Sequence, residues 1–477
     1  MTAAPVWVSW PMARAAAAVA RDLLRGDDRL AGELRSLTAH RSTDRPPGHG
    51  IVVDDISEIS LTGQLAHGVG HQVRARIRAL HGDLVVSNAV PPDGFDDYTR
   101  SLGLGSVQWI HPGQGPRVCA DALGSADSLR RLIEFVSTRT AYVSPYMASD
   151  GAWGLVRELS RATGRAVPMV GPTPAACAMA NDKTRFMTMA ATLLGPASVP
   201  AFRVATDADA AARAMATLAD GRHILAIRLP TAGAGLGLRL IGAAAAAGMT
   251  PVQRRQLISE FAAQTGHRFP DPLLVVRWHR RVVASPSVHL WVPAWGWPIC
   301  EGVLDQHFSD NAASQFGGGR SSILPREQQD RVKLMSMRLA LVLQRIGYLG
   351  RCSFDFIMVG PDVSGADPVL VECNGRWGGA SVILTLVNRL FVGTPRPAFA
   401  FGFIIDAKLR KSGFAYLRRR LARYLYSPGN PDGWLLIPHP GSLHDLGRLG
   451  CLTIAPTPRQ ASERLTEELP DVLSTIL

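Results

Sequence analysis

Residues Val369–Ser381 read VLVECNGRWGGAS, an apolar run of strand character that ends in a carboxylate, an amide, an arginine and glycines. An Asn-Gly pair is a strong hairpin-turn signal, which accounts for Asn374 and Gly375 but leaves Glu372 and Arg376 unexplained. A second strand-like run, RCSFDFIMV at 351–359, lies just upstream. Alternate strand residues share a face, so Ser353, Asp355 and Ile357 point one way, and Glu372 and Asn374 point together from PVLVECN. If the loop GPDVSGAD closes a symmetric hairpin with Val359 opposite Pro368, Asp355 falls opposite Glu372. Like charges facing each other across a sheet are unfavourable without a cation between them. Two carboxylates and an amide oxygen are hard ligands that suit magnesium, which completes its octahedron with water and phosphate oxygens. A solvated polar face on an exposed hairpin is the alternative that these residues alone leave open.

A second feature bears on that choice. The stretch TAGAGLG at 231–237 places Gly233, Gly235 and Gly237 at alternate positions between two strand-like runs. Glycines allow backbone N–H groups to approach phosphate oxygens closely. The following LRLIG has strand rather than helix character, so this is not a dinucleotide fingerprint. A strand, glycine flap and strand can fold over a nucleotide as a lid, and Arg228 in LAIRLP supplies a permanent cation for phosphates. An ordinary hairpin loop is the competing reading of the glycines.

With 477 residues, the chain exceeds one compact core, and its length corresponds to roughly two to four domains. Short apolar runs alternate with helical patterns from residue 51, the signature of a parallel α/β domain. The segment DGAWGLVRELSRATG reads as a helix with Asp150 as its cap. The expected division is a helical extension (1–50), an α/β domain (51–172), a catalytic domain (173–400) with its flap at 228–240 and hairpin at 353–376, and a small C-terminal domain (401–477). The six cysteines are widely spaced, which disfavours zinc or redox motifs and fits buried small apolar residues. The net charge of +12 favours acidic small partners, and no nucleic-acid partner is expected. No apolar run reaches the length of a membrane span. The N-terminal stretch carries arginines within its apolar part, unlike a secretory start, so a cytoplasmic protein is expected.

Taken in order, NDKTRFMTMAATLLG with Lys183, ILAIRLPTAGAGLG with Arg228, RCSFDFI with Asp355 and VECNGRWGGAS with Glu372, Asn374 and Arg376 resemble the ATP-grasp superfamily of carboxylate–amine ligases. The arrangement looks most like the pre-ATP-grasp peptide ligases of natural-product pathways, the pheganomycin type. The resemblance implies an α/β (α+β) fold in which a Rossmann-like domain precedes the ATP-grasp fold. It implies that Lys183, Arg228 and the flap glycines Gly233, Gly235 and Gly237 bind ATP, and that Asp355, Glu372 and Asn374 hold Mg2+. Arg376, with Arg228, would stabilise the transferring phosphoryl group and the tetrahedral intermediate. The implied reaction activates a carboxylate as an acyl phosphate and joins it to an amine, with small-molecule or peptide substrates. A phosphotransferase on the same fold and a non-catalytic nucleotide-binding scaffold are the rivals. Dimers are common in the superfamily, so a homodimer is allowed. Two departures stand out: Arg228 replaces the family's usual lysine, and PLLVVRWHRR lacks the usual acidic residue for the ribose.

Other features read as structural. Trp291, Trp295 and Trp297 are expected in core or sheet packing, and Arg277, Arg280 and Arg281 on a solvated strand face. The loop SQFGGGRSS at 314–322 sits where a mobile segment could cover substrate, which makes Arg320 a substrate candidate. His67 and His71 have metal-like spacing, but the intervening glycines favour a loop. The basic run at 406–426 reads as a surface helix.

Overall fold

The computed structural model describes residues 9–40, 42, 46–59, 69–233, 236–279, 281–308 and 316–477. His67, Gly235 and Arg280 lie outside the described residues.

Among the described residues, three sheets organise the chain. The first is wholly parallel, with strands in the order Gln108–Ile110, Leu84–Val86, His49–Val53, Ala141–Pro145. Three of its strands are short, largely buried apolar runs, as a sheet covered by crossover helices requires, while the edge strand Gln108–Ile110 exposes Gln108. One covering helix, Asp150–Thr163, is capped by Ser149, whose Oγ accepts from the Ala152 amide at 3.4 Å. Asp150 is instead the first helical residue, with its amide donated to Glu58 at 3.2 Å. The N-terminal helix Trp10–Gly26 buries Ala13, Ala16 and Ala20 in the same core as Leu339, Phe354 and Leu370. This helix therefore packs into the main body of the molecule rather than forming a separate extension.

A four-stranded antiparallel sheet follows, ordered Phe202–Ala205, Leu273–Trp278, Ile224–Arg228, Leu238–Ile241. Helices Ala208–Leu218 and Pro251–Thr265 close a core of its own against Leu225, Ile227 and Val275.

The third sheet has nine strands. Along its path run Asp367–Asn374, Gly350–Val359, Pro286–Val292, Ile299–Phe308, Phe316–Ser321, Ala398–Ile405, Arg448–Ala455 and Leu435–His439, with Val282–Ala284 pairing to Gly350–Val359. Helix Arg326–Arg345 packs against the same core: Leu339 and Val342 share it with Phe354, Phe356 and Met358. Phe354 also stacks on Phe186, 5.6 Å between ring centroids. Each such side chain buried contributes about 1.5–3 kcal/mol, so one face of the hairpin is anchored while the other stays free for polar groups.

Two expectations change here. The described part of SQFGGGRSS is no covering loop, because Phe316–Ser321 is an interior strand paired on both sides. Its glycines serve close packing: Gly318 has φ +148°, and a Cβ there would lie 2.0 Å from the Phe401 carbonyl oxygen. The boundary drawn at 400 falls within the strand Ala398–Ile405, so the nine-stranded sheet runs unbroken into the C-terminal segment. The basic run packs Leu409, Phe414, Leu417, Leu421 and Leu425 into a core shared with Phe399, Leu436 and Leu452, and leaves its arginines exposed or half-buried.

Five of the six cysteines are buried and all six are free thiols. Among the described residues, no helix is long and apolar enough to cross a membrane.

Candidate active site

The hairpin's register is set by an irregularity. On the turn side Met358, not Val359, pairs with Pro368, one residue out of the symmetric expectation. A bulge between Asp355 and Phe356 on the register takes up the extra residue, Val371, and restores Asp355 opposite Glu372 and Ser353 opposite Asn374. The two carboxylates therefore face each other as the alternation of SFDFIMV and PVLVECN predicts, for a reason the sequence pattern does not contain.

Asn374-Gly375 does not close the hairpin; the turn lies in the loop between Val359 and Asp367. After Asn374 the chain leaves the sheet toward helix Gly379–Leu390. Gly375 is fixed by packing instead, since a Cβ there would sit 2.5 Å from the Ala180 Cβ. The adjacent Asn181 accepts from the Gly375 amide at 3.1 Å and from the Arg376 guanidinium, and donates to the Gly375 carbonyl at 3.0 Å. Asn181 thus orients Arg376.

Charges converge on Glu372. Lys183, buried at the first turn of helix Lys183–Leu194, places Nζ 3.2 Å from Glu372 Oε2 and donates to the Ala232 carbonyl at 2.5 Å. Arg228, at the end of its strand, donates to the same Oε2 at 2.9 Å and lies 5.6 Å from the centroid of the Trp278 ring. Asp355 accepts from Ser287 Oγ at 2.6 Å and from Asn374 Nδ2 at 2.9 Å. Burial, and then the Glu372 charge, push the Asp355 carboxyl up to about 6. Burial also works against the Glu372 carboxylate, but Lys183, Arg228 and Arg376 outweigh it and hold this group well below the usual carboxylate range. Lys183 is pushed down by burial, with Glu372 pulling the other way.

These residues line a cavity of about 1850 Å³ that continues beneath the flap, along the linker through Trp278 and His279, and across the nine-stranded sheet to Arg320, Phe403 and Arg448. Gly233 borders it. Gly237 has φ +61° and closes the flap, its carbonyl accepting from the Leu229 amide at 2.9 Å. Arg320, on its strand, faces Asp305 at 4.0 Å. Arg277 borders the cavity and donates to the Leu218 carbonyl, rather than lying on a solvated face, whereas Arg281 is exposed. Trp295 and Trp297 are exposed rather than packed.

The donor set fits magnesium. Asp355 and Glu372 are like charges face to face, and the upward push on Asp355 marks a position where a cation would be stabilising. Among the described residues, no group of three or more His, Cys, Asp or Glu side chains gathers to hold a metal. Two carboxylates and an amide are the sparse set magnesium takes when phosphates supply the remainder. Ligation would use the amide oxygen of Asn374, so its side chain would turn from the present contact with Asp355.

Ser287 and Asn181 escape a motif reading. Ser287 comes from a strand distant in sequence, and only the sheet order brings it to Asp355. Asn181 is the first residue of NDKTRFMTMAATLLG, but the motif reading singles out only Lys183, and the contact of Asn181 with Gly375 and Arg376 is visible only in the fold.

No family model and no curated protein matches this chain. Solved structures do. The biotin carboxylase domain dimer of the Hydrogenobacter thermophilus 2-oxoglutarate carboxylase, in complex with MgADP, ADP and bicarbonate, superposes with TM-score 0.54 at 14% identity, over 83% of this chain and 86% of that one. The N5-carboxyaminoimidazole synthase of Aspergillus clavatus, in complex with ADP and 5-aminoimidazole ribonucleotide, gives TM-score 0.52 at 12% identity, over 89% and 99%. The Campylobacter jejuni biotin carboxylase, a complex with β-γ-ATP, gives 0.53 at 13%, over 83% and 87%. The chain shares the mixed α/β fold of these structures.

Proposed function

We propose that this chain is an ATP-dependent carboxylate–amine ligase. The observation that carries this reading is the convergence of Lys183 and Arg228, at 3.2 and 2.9 Å, on Glu372 opposite Asp355 and beside the glycine flap. Nucleotides are bound by the structural neighbours named above, and the same fold here presents cations and hard oxygen ligands to one cavity.

In this reading Lys183 and Arg228 exchange Glu372 for the phosphates of ATP, and Gly233 lets the flap backbone come close to them. Asp355, Glu372 and Asn374 hold magnesium, which when bound neutralises phosphate charge and orients the γ-phosphoryl group. A substrate carboxylate oxygen attacks the γ-phosphorus and ADP leaves. The amine nitrogen then attacks the acyl carbon, the C–O bond to phosphate breaks, and the nitrogen gives up a proton. Arg376, held by Asn181, faces the charge that develops on the transferring group. The parallel sheet before residue 172 is the Rossmann-like pre-ATP-grasp part of this arrangement, and peptide-bond formation in a natural-product pathway is the subfamily reading. A homodimer is the corresponding expectation.

The test is to incubate purified protein with ATP, magnesium and pooled acids and amines, and to follow products by mass spectrometry. A condensation product, with ADP and phosphate released only when both acid and amine are present, is expected. A phosphorylated product that needs no amine would replace the ligase with a phosphotransferase. ATP binding without ADP formation across the panel would leave a scaffold.

A further inference from the structure

The far wall of the cavity holds a cation that the reaction above does not use. Arg448 begins the strand Arg448–Ala455, five strand spacings from the strand of Asp355, or roughly 24 Å along the sheet at about 4.8 Å per strand. Its guanidinium carbon lies over the Phe403 ring, 3.4 Å from the centroid, and the residue lines the cavity. Its NH1 reaches Nε2 of His71 at 2.9 Å.

His71 is pinched. It sits in the 3-10 turn Gly70–Arg74, not in a loop, and its Nδ1 meets NH1 of Arg74 at 3.2 Å. A neutral imidazole accepts on one ring nitrogen and donates from the other. It can therefore satisfy one of the two arginines and must oppose the other. Arg74 has a counter-ion: its Nε and NH2 donate to both oxygens of the buried Asp54 at 3.2 and 3.1 Å, and its guanidinium stacks 4.1 Å from the Tyr146 centroid. Arg448 has none; among the described residues no carboxylate lies within 4.0 Å of its guanidinium. Burial and the neighbouring Arg74 both weigh against its charge. A half-buried guanidinium with five donors, one ambiguous partner and no counter-ion, opening on a large cavity, is an incomplete anion site.

We propose that Arg448, with His71 and the Arg74–Asp54 pair behind it, binds an anionic group, a carboxylate or a phosphate, at the end of the substrate remote from the reacting carboxyl. This rests on the ligase reading for the identity of that substrate, though not for the binding itself. The substrate class is then an acid or amine that carries a second negative charge.

The experiment is isothermal titration of the full chain with L-glutamate, O-phospho-L-serine and zwitterionic L-glutamine, which lacks the second negative charge, with and without MgADP, for the wild type, Arg448→Gln and Arg448→Lys. We expect an anionic probe to bind at least tenfold more tightly than glutamine. The loss of a charge-assisted contact in Arg448→Gln should remove that preference by roughly 10- to 100-fold, with MgADP affinity and melting temperature unchanged and partial recovery in Arg448→Lys. Preference for phosphoserine identifies a phosphate, and preference for glutamate a carboxylate. Equal binding of glutamine, no binding of any probe to the wild type, or an unchanged preference in a folded Arg448→Gln overturns the site. Arg448-dependent anion binding without MgADP binding would defeat the nucleotide reading and leave this site standing; MgADP binding with Arg448-independent selectivity would do the reverse.

Discussion

The two ends of the cavity handle charge in opposite ways. Around Asp355 and Glu372 the chain supplies both signs, and Lys183 and Arg228 share one carboxylate oxygen at 3.2 and 2.9 Å. Around Arg448 the chain supplies an excess cation, with Arg74 already neutralised by Asp54. An end that is balanced without ligand must exchange partners when ligand arrives, whereas an unbalanced end only has to be filled. The first arrangement suits a centre where charge moves and the second a site that holds a substrate in place.

The most direct way to break this contrast is Glu372→Gln, which leaves Lys183 and Arg228 as unpaired as Arg448. Loss of ADP release by about 10³-fold is expected, with a native circular dichroism spectrum and a lowered melting temperature that MgATP partly restores. A near-normal rate in the folded variant would remove the metal assignment. Arg376→Lys keeps the charge and changes the fork, and kcat should fall about 100-fold; an unchanged kcat takes Arg376 out of the reaction. Asn181→Ala frees Arg376 without touching substrate, so a smaller loss of about tenfold in kcat with little change in the ATP KM is expected. Equal losses in both parameters would make Asn181 merely structural.

Asp355→Asn sharpens the contrast through stability. The folded protein holds the Asp355 proton more tightly than the unfolded chain, from the ordinary 3.8 up to about 6. That contribution is complete below the unfolded value and is lost as pH rises through the folded one. Without metal, Asp355→Asn should therefore melt a few degrees above wild type at pH 7, and the gain should vanish toward pH 4. Glu372 has the opposite sign: its contribution is lost only as pH falls through its depressed value, below that window. A melting difference independent of pH would show that burial and the facing Glu372 do not raise the Asp355 carboxyl.

The Asp355 end was legible because its parts lie in runs whose alternation encodes a face. Ser353, Asp355, Glu372 and Asn374 could be set on their strands by counting, and the pairing of Asp355 with Glu372 followed. The bulge that secures this pairing was not legible, since one extra residue leaves no mark on an apolar run such as PVLV. Glycine-rich segments misled in both directions. FGGGRS reads as a loop but is a strand, because Gly318 has no room for a Cβ beside Phe401, and Asn374-Gly375 reads as a turn but is a packing contact. The Arg448 end could not be read at all: His71, Phe403 and Arg448 come from separate segments, and only the order of the nine-stranded sheet brings them together.

That sheet also has a mechanical consequence. Asp355 and Arg448 ride on one unbroken ladder of hydrogen-bonded strands, while Arg228 and the strands on either side of the glycine flap belong to a separate four-stranded sheet. A ladder of backbone hydrogen bonds resists stretching, so the span between the two ends is a fixed gauge. On the proposed ligase reading, movement of the flap over a nucleotide would leave that gauge unaltered, and a substrate would be measured for length by a part of the protein separate from the flap.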